Sequence, residues 1–303
     1  MNISVAMAVY NGEKYLREQL DSILSQLDEM DEIVISYNDS IDNTLQILKE
    51  YHDKYDIIKV YEWEEKGVIS NFENAILHCS KDFIFLSDQD DVWENNKVQR
   101  VMEAFQSDST ILTVMHNCEY VDDALQSLGN DLFKDRKVKM GFIKNLCINC
   151  YQGSCMAFRK DLVPFITPMP KTVAMHDQWI GLMSERAGHI KFISESLMKY
   201  RKHDGSHSTE HVPLKKKLIW MWKMAYHVLD AMNEKKMLKW YLQSVYAPEK
   251  KADFDLDEYG YSDNSIKENK SLDNTGKEES SSNAGETMMY MVNELNKKEN
   301  DDE

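Results

Sequence analysis

Apolar and polar positions alternate in blocks through the first half of the chain. Ile3 to Tyr10 is a nearly unbroken apolar run, the pattern of a strand buried on both faces. After the turn Asn11-Gly12-Glu13, the stretch from Lys14 to Gln26 carries Tyr15, Leu16, Leu20, Ile23 and Leu24 at helical spacing, with Leu27 just beyond. Glu32 to Ser36, Ile57 to Tyr61 and Phe83 to Leu86 read as a second, third and fourth strand. Helices are expected between them, from Asp42 through Tyr51 and from Ser70 to Cys79. Asp42 stands where its carboxylate can accept from the free N–H groups of a first turn. Strands that alternate with helices are joined by right-handed crossovers into a mostly parallel, Rossmann-like sheet flanked by helices, so the fold class is α/β.

The second half is less regular. Val92-Trp93-Glu94 leads into a helix that reaches Phe105, Ile111 to Met115 is another strand, and Gly153 to Phe158 is expected as a strand backing the site. Pro164, Pro168 and Pro170 interrupt the chain. His176 to Ala187 then predicts a helix with Trp179, Ile180, Leu182 and Met183 as its apolar stripe. Pro213 opens a long helical region, Leu214 to Tyr246, in which Lys215-Lys216-Lys217 stand beside Ile219-Trp220-Met221-Trp222. Lysines next to Trp-rich apolar positions suit a helix lying in a membrane interface. A helix packed on the domain with its lysine stems in water has the same pattern. Beyond Pro248 the sequence is acidic and rich in Ser and Asn, as a disordered tail would be, with one short helical pattern from Met288 to Leu295.

Charge and cysteine content narrow the classes. The 303 residues carry a net charge of −16, more than half of it in 249–303, and the body shows no basic face, so nucleic acid is not an expected partner. No run approaches the roughly 18 apolar residues of a membrane span. The N-terminal run has no basic leader, which makes a cytoplasmic location the expectation. Cys147-Ile148-Asn149-Cys150 has the spacing of half a zinc site, yet no second pair completes it. Cys79, Cys118, Cys147, Cys150 and Cys155 therefore read as reduced, partly buried thiols.

The most informative chemistry follows the fourth strand. Asp88-Gln89-Asp90-Asp91 places three carboxylates at the carboxyl end of an apolar run, where open α/β sheets bind ligands. Like charges this close repel unless a cation lies between them. Mg²⁺ and Mn²⁺ prefer carboxylate oxygen and share their coordination with phosphates. A metal–diphosphate site and a solvated polar turn are the two readings of this motif alone.

With these elements in place, the chain resembles family 2 glycosyltransferases of the GT-A fold. The likeness is greatest to the bacterial group that includes rhamnosyltransferases and related cell-surface polysaccharide enzymes. Val5 to Gly12, Lys66 to Phe72, Leu86 to Trp93, Gly153 to Phe158, His176 to Trp179 and Tyr200 to His203 carry it, in this order. The resemblance implies that Asp88, Gln89 and Asp90 match the Asp-x-Asp motif, with Asp91 adjoining, and that these aspartates hold Mn²⁺ or Mg²⁺. It implies that Asp177 is the catalytic base, at a helix start whose dipole favours its charge; a plain helix cap is the other reading of that residue. His176 and Trp179 fall on the acceptor side, His176 either orienting a ligand or packing. Ala8, Tyr10, Asn11, Asn38, Asp39, Asn71 and Gln89 fall around the nucleotide sugar. Glu13 is expected in solvent. Trp93 lies either under the sugar or in the core. Arg201 and His203 match a segment that closes over the diphosphate, although a surface ion pair would also account for Arg201.

One departure stands out. The family usually has Asp-Asp-Gly-Ser after the second strand, where an Asp meets the nucleotide base; here the stretch is Tyr37-Asn38-Asp39-Ser40. The Asn38 amide or the Asp39 carboxylate could serve instead.

The implied activity is metal-dependent, inverting transfer of rhamnose or a hexose from a dTDP- or UDP-sugar to a polysaccharide or lipid-linked glycan. The rival is a non-catalytic nucleotide-sugar-binding or interaction subunit. A nucleotidyltransferase would need a glycine-rich basic loop where Asn11-Gly12-Glu13-Lys14 has one Gly. The organisation expected is a GT-A domain over 1–210, a helical extension over 211–248 with peripheral membrane contact as one reading, and an acidic tail over 249–303. Peripheral attachment would be at the inner face of the membrane; a homo-oligomer stays open.

Overall fold

The computed structural model describes residues 2–203 and 214–234. The tail over 249–303, its short helical pattern and the end of the helical extension lie outside the described residues.

The expected first half is present. Strands β1 (Ile3–Val9), β2 (Glu32–Tyr37), β3 (Ile58–Glu62) and β4 (Phe83–Ser87) run parallel in the order β3-β2-β1-β4. Helices α1 (Leu16–Leu24), α2 (Thr44–Lys54) and α3 (Val68–His78) join them. Asp42 lies one residue ahead of the helix-flanking Asn43, and its Oδ1 still accepts from the Thr44 N–H at 3.0 Å. All of β1 and β2 is buried or nearly so, which is why both read as apolar runs rather than alternations.

Beyond β4 the sheet is mixed. Val92–Trp93 forms a short strand, β5, instead of leading directly into a helix, and α4 (Lys97–Ser107) starts later. Strand β6 (Ile111–Val121) continues well past Met115, and β7 (Ser127–Asp131) pairs with it antiparallel. Two short helices, α5 (Leu132–Arg136) and α6 (Phe142–Cys147), follow. Gly153–Cys155 is a 3₁₀ turn, so of the expected strand only Met156 to Phe158 is extended, within β8 (Met156–Arg159). Helix α7 (Val163–Ile166) precedes α8 (His176–Ala187), then β9 (His189–Arg201) and α9 (Leu214–Glu234). The sheet order is β3-β2-β1-β4-β8-β6-β9-β5, with β8 antiparallel to β4 and β6, β9 parallel to β6, and β5 antiparallel to β9.

Residue parity assigns the two faces. On one, Gln19 of α1 donates to Ser87 Oγ at 2.7 Å and Phe105 of α4 meets Phe83. On the other, Asn74 of α3 donates to Ser36 Oγ at 2.8 Å and Thr113 of β6 to Ser184 of α8 at 2.8 Å. Helices α3 and α8 therefore share a face, with the Phe72 and His176 rings stacked at 4.1 Å.

At the amino end of the sheet, buried Glu32 ties three elements together. Its carboxylate accepts from Ser4 Oγ at 2.6 Å, Ser80 N at 2.6 Å and Lys59 Nζ at 2.6 Å. Burial alone would raise its pKa; the donors from Lys59, Ser4 and Ser80 outweigh burial and bring it from the ordinary 4.5 down to about 2. A depressed carboxyl stabilises the fold above its unfolded value and loses that contribution as pH falls toward the folded one. Glu32→Gln is expected to cost about 2 kcal/mol at pH 7, because it leaves Lys59 without its charge partner. In urea titrations the gap between the two proteins should close as pH is lowered from 4.5 toward 2. A gap independent of pH would show that the carboxylate charge contributes nothing.

Candidate active site

Because β1, β2 and β4 are parallel, their carboxyl ends open on one side of the sheet, and the residues that follow them meet there. The loops are knitted together before any ligand is considered. Asn11, at φ 50, donates from its N–H to Ser40 Oγ and accepts from Ile41 N at 3.0 Å. The Gly12 N–H donates to Thr44 Oγ1 at 2.7 Å. Glu13 is exposed, as expected, and there accepts from the Asn43 N–H at 3.1 Å and from its side-chain amide. Gln89 pairs with the backbone of Tyr10 twice, accepting from its N–H at 2.9 Å and donating to its carbonyl at 2.8 Å. That pairing explains Gly12: a Cβ there would lie 2.6 Å from Gln89 Oε1. The left-handed backbone belongs to Asn11, not to the glycine.

The three aspartates after β4 have different surroundings. Asp88 is half-buried, and its pKa is pushed up to about 7, by burial first and by the neighbouring Asp90 next; Asp177 adds to the shift and Ser154 opposes it. Asp88, Asp90 and Asp177 thus share one electrostatic neighbourhood. Asp90 Oδ2 lies 2.9 Å from His203 Nε2. Asp91 departs from the expected metal set. It is fully buried, its Oδ1 accepts from the Arg201 N–H at 3.1 Å, and its Oδ2 has no hydrogen-bond partner among the described residues.

Arg201 also departs from expectation. Its side chain is 2% exposed, so neither a surface ion pair nor an open phosphate fork describes it. Its donors are committed inside the protein: Nε to the Asp90 carbonyl at 2.9 Å, one terminal nitrogen to the Asp123 carbonyl at 2.5 Å, the other to Glu18 Oε2 at 2.6 Å. The guanidinium also covers the Tyr15 ring at 4.6 Å. Trp93, placed by sequence either under a sugar or in the core, is 2% exposed against Phe85, with the Lys97 ammonium 3.9 Å over its face. Trp179, expected on the acceptor side, is a core residue whose indole N–H donates to the Ile166 carbonyl at 2.8 Å.

On the second-strand side, the Asn38 amide is already used. It donates to the Trp63 carbonyl at 2.7 Å and the Glu65 carbonyl at 3.3 Å, pinning the β3–α3 loop. Asp39 is exposed and makes no hydrogen bond among the described residues. Ala8 is half-buried and Tyr10 exposed at the end of β1. Asn71 is buried beneath them, donating to the Val9 carbonyl at 3.3 Å while its Oδ1 is unpartnered among the described residues.

Asp177 sits in the first turn of α8. Its Oδ1 accepts from Asn149 Nδ2 at 3.0 Å and from the Gln178 N–H at 2.6 Å, and its Oδ2 accepts no hydrogen bond among the described residues. His176 is held between the Phe72 ring and Gly153, where a Cβ would approach Nε2 to 2.6 Å. Burial lowers its pKa, and neither ring nitrogen has a partner among the described residues. Sequence reasoning missed Asn149, Ser154 and Lys97. Lys97 is buried under the acidic loop, donates to the Ser154 carbonyl at 2.8 Å, and is brought down to about 8 by burial. Nothing in its helical context distinguishes it from a surface lysine.

Among the described residues no three His, Cys, Asp or Glu side chains gather closely enough to enclose a cation by themselves. Two neighbouring carboxylates, Asp88 and Asp90, do fit a hard divalent ion that completes its shell with phosphate and water. Cys147 is exposed and Cys150 buried against Asn145, and all five cysteines are free.

A family model described as glycosyl transferase family 2 matches residues 4–165. An uncharacterized glycosyltransferase of Nostoc sp. is 27% identical over 217 residues, 67% of this chain and 65% of that protein. A dTDP-rhamnosyl transferase of Shigella flexneri is 39% identical over 103 residues, 32% of this chain and 36% of that protein. The match thus spans less than two thirds of either relative. Among solved structures, residues 1–349 of S. aureus TarS, in complex with UDP-GlcNAc, align with a TM-score of 0.61 at 17% identity over 86% of this chain and 78% of that one. A mannosyltransferase from Pyrobaculum calidifontis, in complex with GDP-Man and Mn²⁺, aligns with a TM-score of 0.53 at 16% identity, covering 82% and 73%. At these identities the structural likeness establishes the fold.

Arg201→Lys keeps the charge but cannot reproduce three divergent donors. It is expected to destabilise the protein by about 2–4 kcal/mol, measured by chemical denaturation. A loss below ~0.5 kcal/mol would mean that the guanidinium contacts are dispensable.

Proposed function

The chain belongs to glycosyl transferase family 2, and from that membership we propose that it transfers a sugar from a nucleoside diphosphate donor to an acceptor hydroxyl with inversion. What supports the proposal is that Asp88 and Asp90 follow β4 at the open end of the parallel strands, with His203 Nε2 2.9 Å from Asp90, and that the charges of Asp90 and Asp177 both raise the Asp88 pKa. Asp177 is the base. Asn149 and the Gln178 N–H hold Oδ1, and Oδ2 takes the proton of the acceptor hydroxyl as its oxygen bonds to the anomeric carbon. The bond to the diphosphate oxygen breaks on the opposite face, which sets the inverted configuration. Asp88 and Asp90 would hold a Mn²⁺ or Mg²⁺ ion, which supplies charge neutralisation for the diphosphate leaving group. His203 fixes the Asp90 carboxylate, Arg201 fixes the loop backbone, and Lys97 balances negative charge from below.

The donor is a dTDP- or UDP-sugar, rhamnose or a hexose; the Shigella relative and the UDP-GlcNAc complex of TarS support that range. Asn38 is occupied by the β3–α3 loop, so Asp39 is the group left to meet the base, beside Tyr10 and Asn11. The acceptor is a glycan, free or lipid-linked, met on the side of His176. The enzyme works in the cytoplasm at the inner face of the membrane. Among the described residues no helix is long and apolar enough to cross a membrane. The replacement of the acidic pair by Tyr37 and Asn38 favours a second reading, a subunit that binds donor without transferring it.

A thermal-shift panel of nucleoside diphosphates with Mn²⁺, Mg²⁺ or chelator tests the donor site. Saturation at about a hundred times Kd should add roughly 2.7 kcal/mol. Asp90→Ala is expected to abolish the chelator-sensitive part of the shift; an unchanged shift would refute the metal assignment. Asp177→Asn should retain donor binding and lose about 10²–10⁴-fold in transfer rate. An active Asp177→Asn enzyme would remove Asp177 from the role of base. Donor binding without cleavage or transfer in the unaltered protein, over a broad acceptor panel, would select the second reading.

A further inference from the structure

Helix α9 packs on α6 and α8 with Ile219, Met224, Ala225 and Val228 buried. This covers only part of its apolar surface. Leu218 and Trp222 stay 47% and 42% exposed, one turn apart. Beside them, across the contact of Met221 Sδ with Cys147 Sγ at 3.6 Å, α6 and the residue after it present Ile143 and Ile148 at 76% and 64% exposure. Four large apolar side chains are therefore exposed on two elements that are far apart in sequence and pack on each other.

Charge identifies the occupant. The chain is strongly acidic, yet these two segments are basic. Residues 134–144 contain Lys134, Arg136, Lys137, Lys139 and Lys144 against the one acid Asp135, and residues 214–228 contain Lys215, Lys216, Lys217 and Lys223 with no acid. Lys216 and Lys217 are exposed, and the Lys216 ammonium lies 5.2 Å from the Trp220 ring. Arg186 stands 4.4 Å over the Phe142 ring. Exposed aromatic and aliphatic side chains on segments rich in lysine complement an anionic lipid surface, where the hydrocarbon is buried at the headgroup boundary and the cations pair with phosphates.

We propose that the face formed by α6 and α9 seats on an anionic membrane surface and brings a lipid-linked acceptor to Asp177. The last part rests on the transferase reading above. Ile148 is followed by Asn149, whose amide holds Asp177 Oδ1, so the membrane-facing loop and the base are joined by one residue. The face is thereby the docking surface for the lipid end of the acceptor, on the acceptor side of the site.

The test is flotation of the full chain with vesicles of phosphatidylcholine alone or mixed with phosphatidylglycerol, with no donor or acceptor present. Binding to the anionic vesicles is expected to exceed binding to the neutral ones by about 10-fold and to fall steeply as salt is raised from about 0.05 to about 0.5 M. Ile143→Glu with Trp222→Glu, and separately Lys216→Glu with Lys217→Glu, should each reduce it by roughly 10-fold. Leu77→Glu, at an exposed position of α3, should leave it unchanged. Melting temperatures of all variants check the fold, and the nucleotide-induced shift on the same samples reports the donor site independently. Failure of the unaltered chain to bind anionic vesicles, with its nucleotide shift intact, would thus overturn this inference alone. Absence of binding to anionic vesicles, equal loss in Leu77→Glu, or a dimer dissolved by Trp222→Glu in a protein that ignores vesicles would each overturn it, the last by naming a second copy as the occupant.

Discussion

The buried guanidinium of Arg201 is the interaction on which the site depends. It ends β9, which pairs with β5 just beyond the acidic loop, and it spends its donors on the Asp90 carbonyl, the Asp123 carbonyl and Glu18, while its own N–H goes to Asp91. Three chain segments distant in sequence are tied to β9 by one side chain. Such a group is stable only when every donor is met, because an uncompensated buried charge costs several kcal/mol. The loop that carries Asp88 and Asp90 therefore cannot relax independently of β9, α1 and the β6–β7 turn.

The site also manages crowded negative charge. Asp88 and Asp90 are neighbours, Asp177 is near enough to affect Asp88, and Asp91 is buried behind them. Lys97 places its ammonium beneath this group, held against the Trp93 ring and the Ser154 carbonyl. A buried ammonium in contact with an indole face is well placed to balance the carboxylates from beneath.

Much of the first half was legible because strands buried on both faces leave unbroken apolar runs. The helix from His176 to Ala187 was legible for its apolar stripe. Strand β9 was not: register shifts against β6 disturb the two-residue alternation that identifies a strand. Strand β6 was cut short at Met115 because His116 and Asn117 look like a loop; in the structure His116 Nδ1 meets the Asn117 carbonyl, and Asn117 Oδ1 accepts from Cys118 N and Phe133 N. Side-chain roles were harder to read than elements. An arginine that grips its own backbone has the same letter as one that grips phosphate. Asn38 likewise could not reveal that its amide was already engaged by the β3–α3 loop. Trp93 and Trp179 went to the core, where a large ring gains most by leaving water.

The paired hydrogen bonds between Gln89 and the Tyr10 backbone give the site a mechanical property. Gln89 acts as a strut between the end of β1 and the acidic loop, seated so closely on Gly12 that it has no slack. A displacement of Tyr10 is passed to Asp88 and Asp90 along a chain of covalent bonds and two short contacts. The two ends of an extended ligand lying across these loops would be gripped by one rigid jaw, so its length is gauged as well as its chemistry.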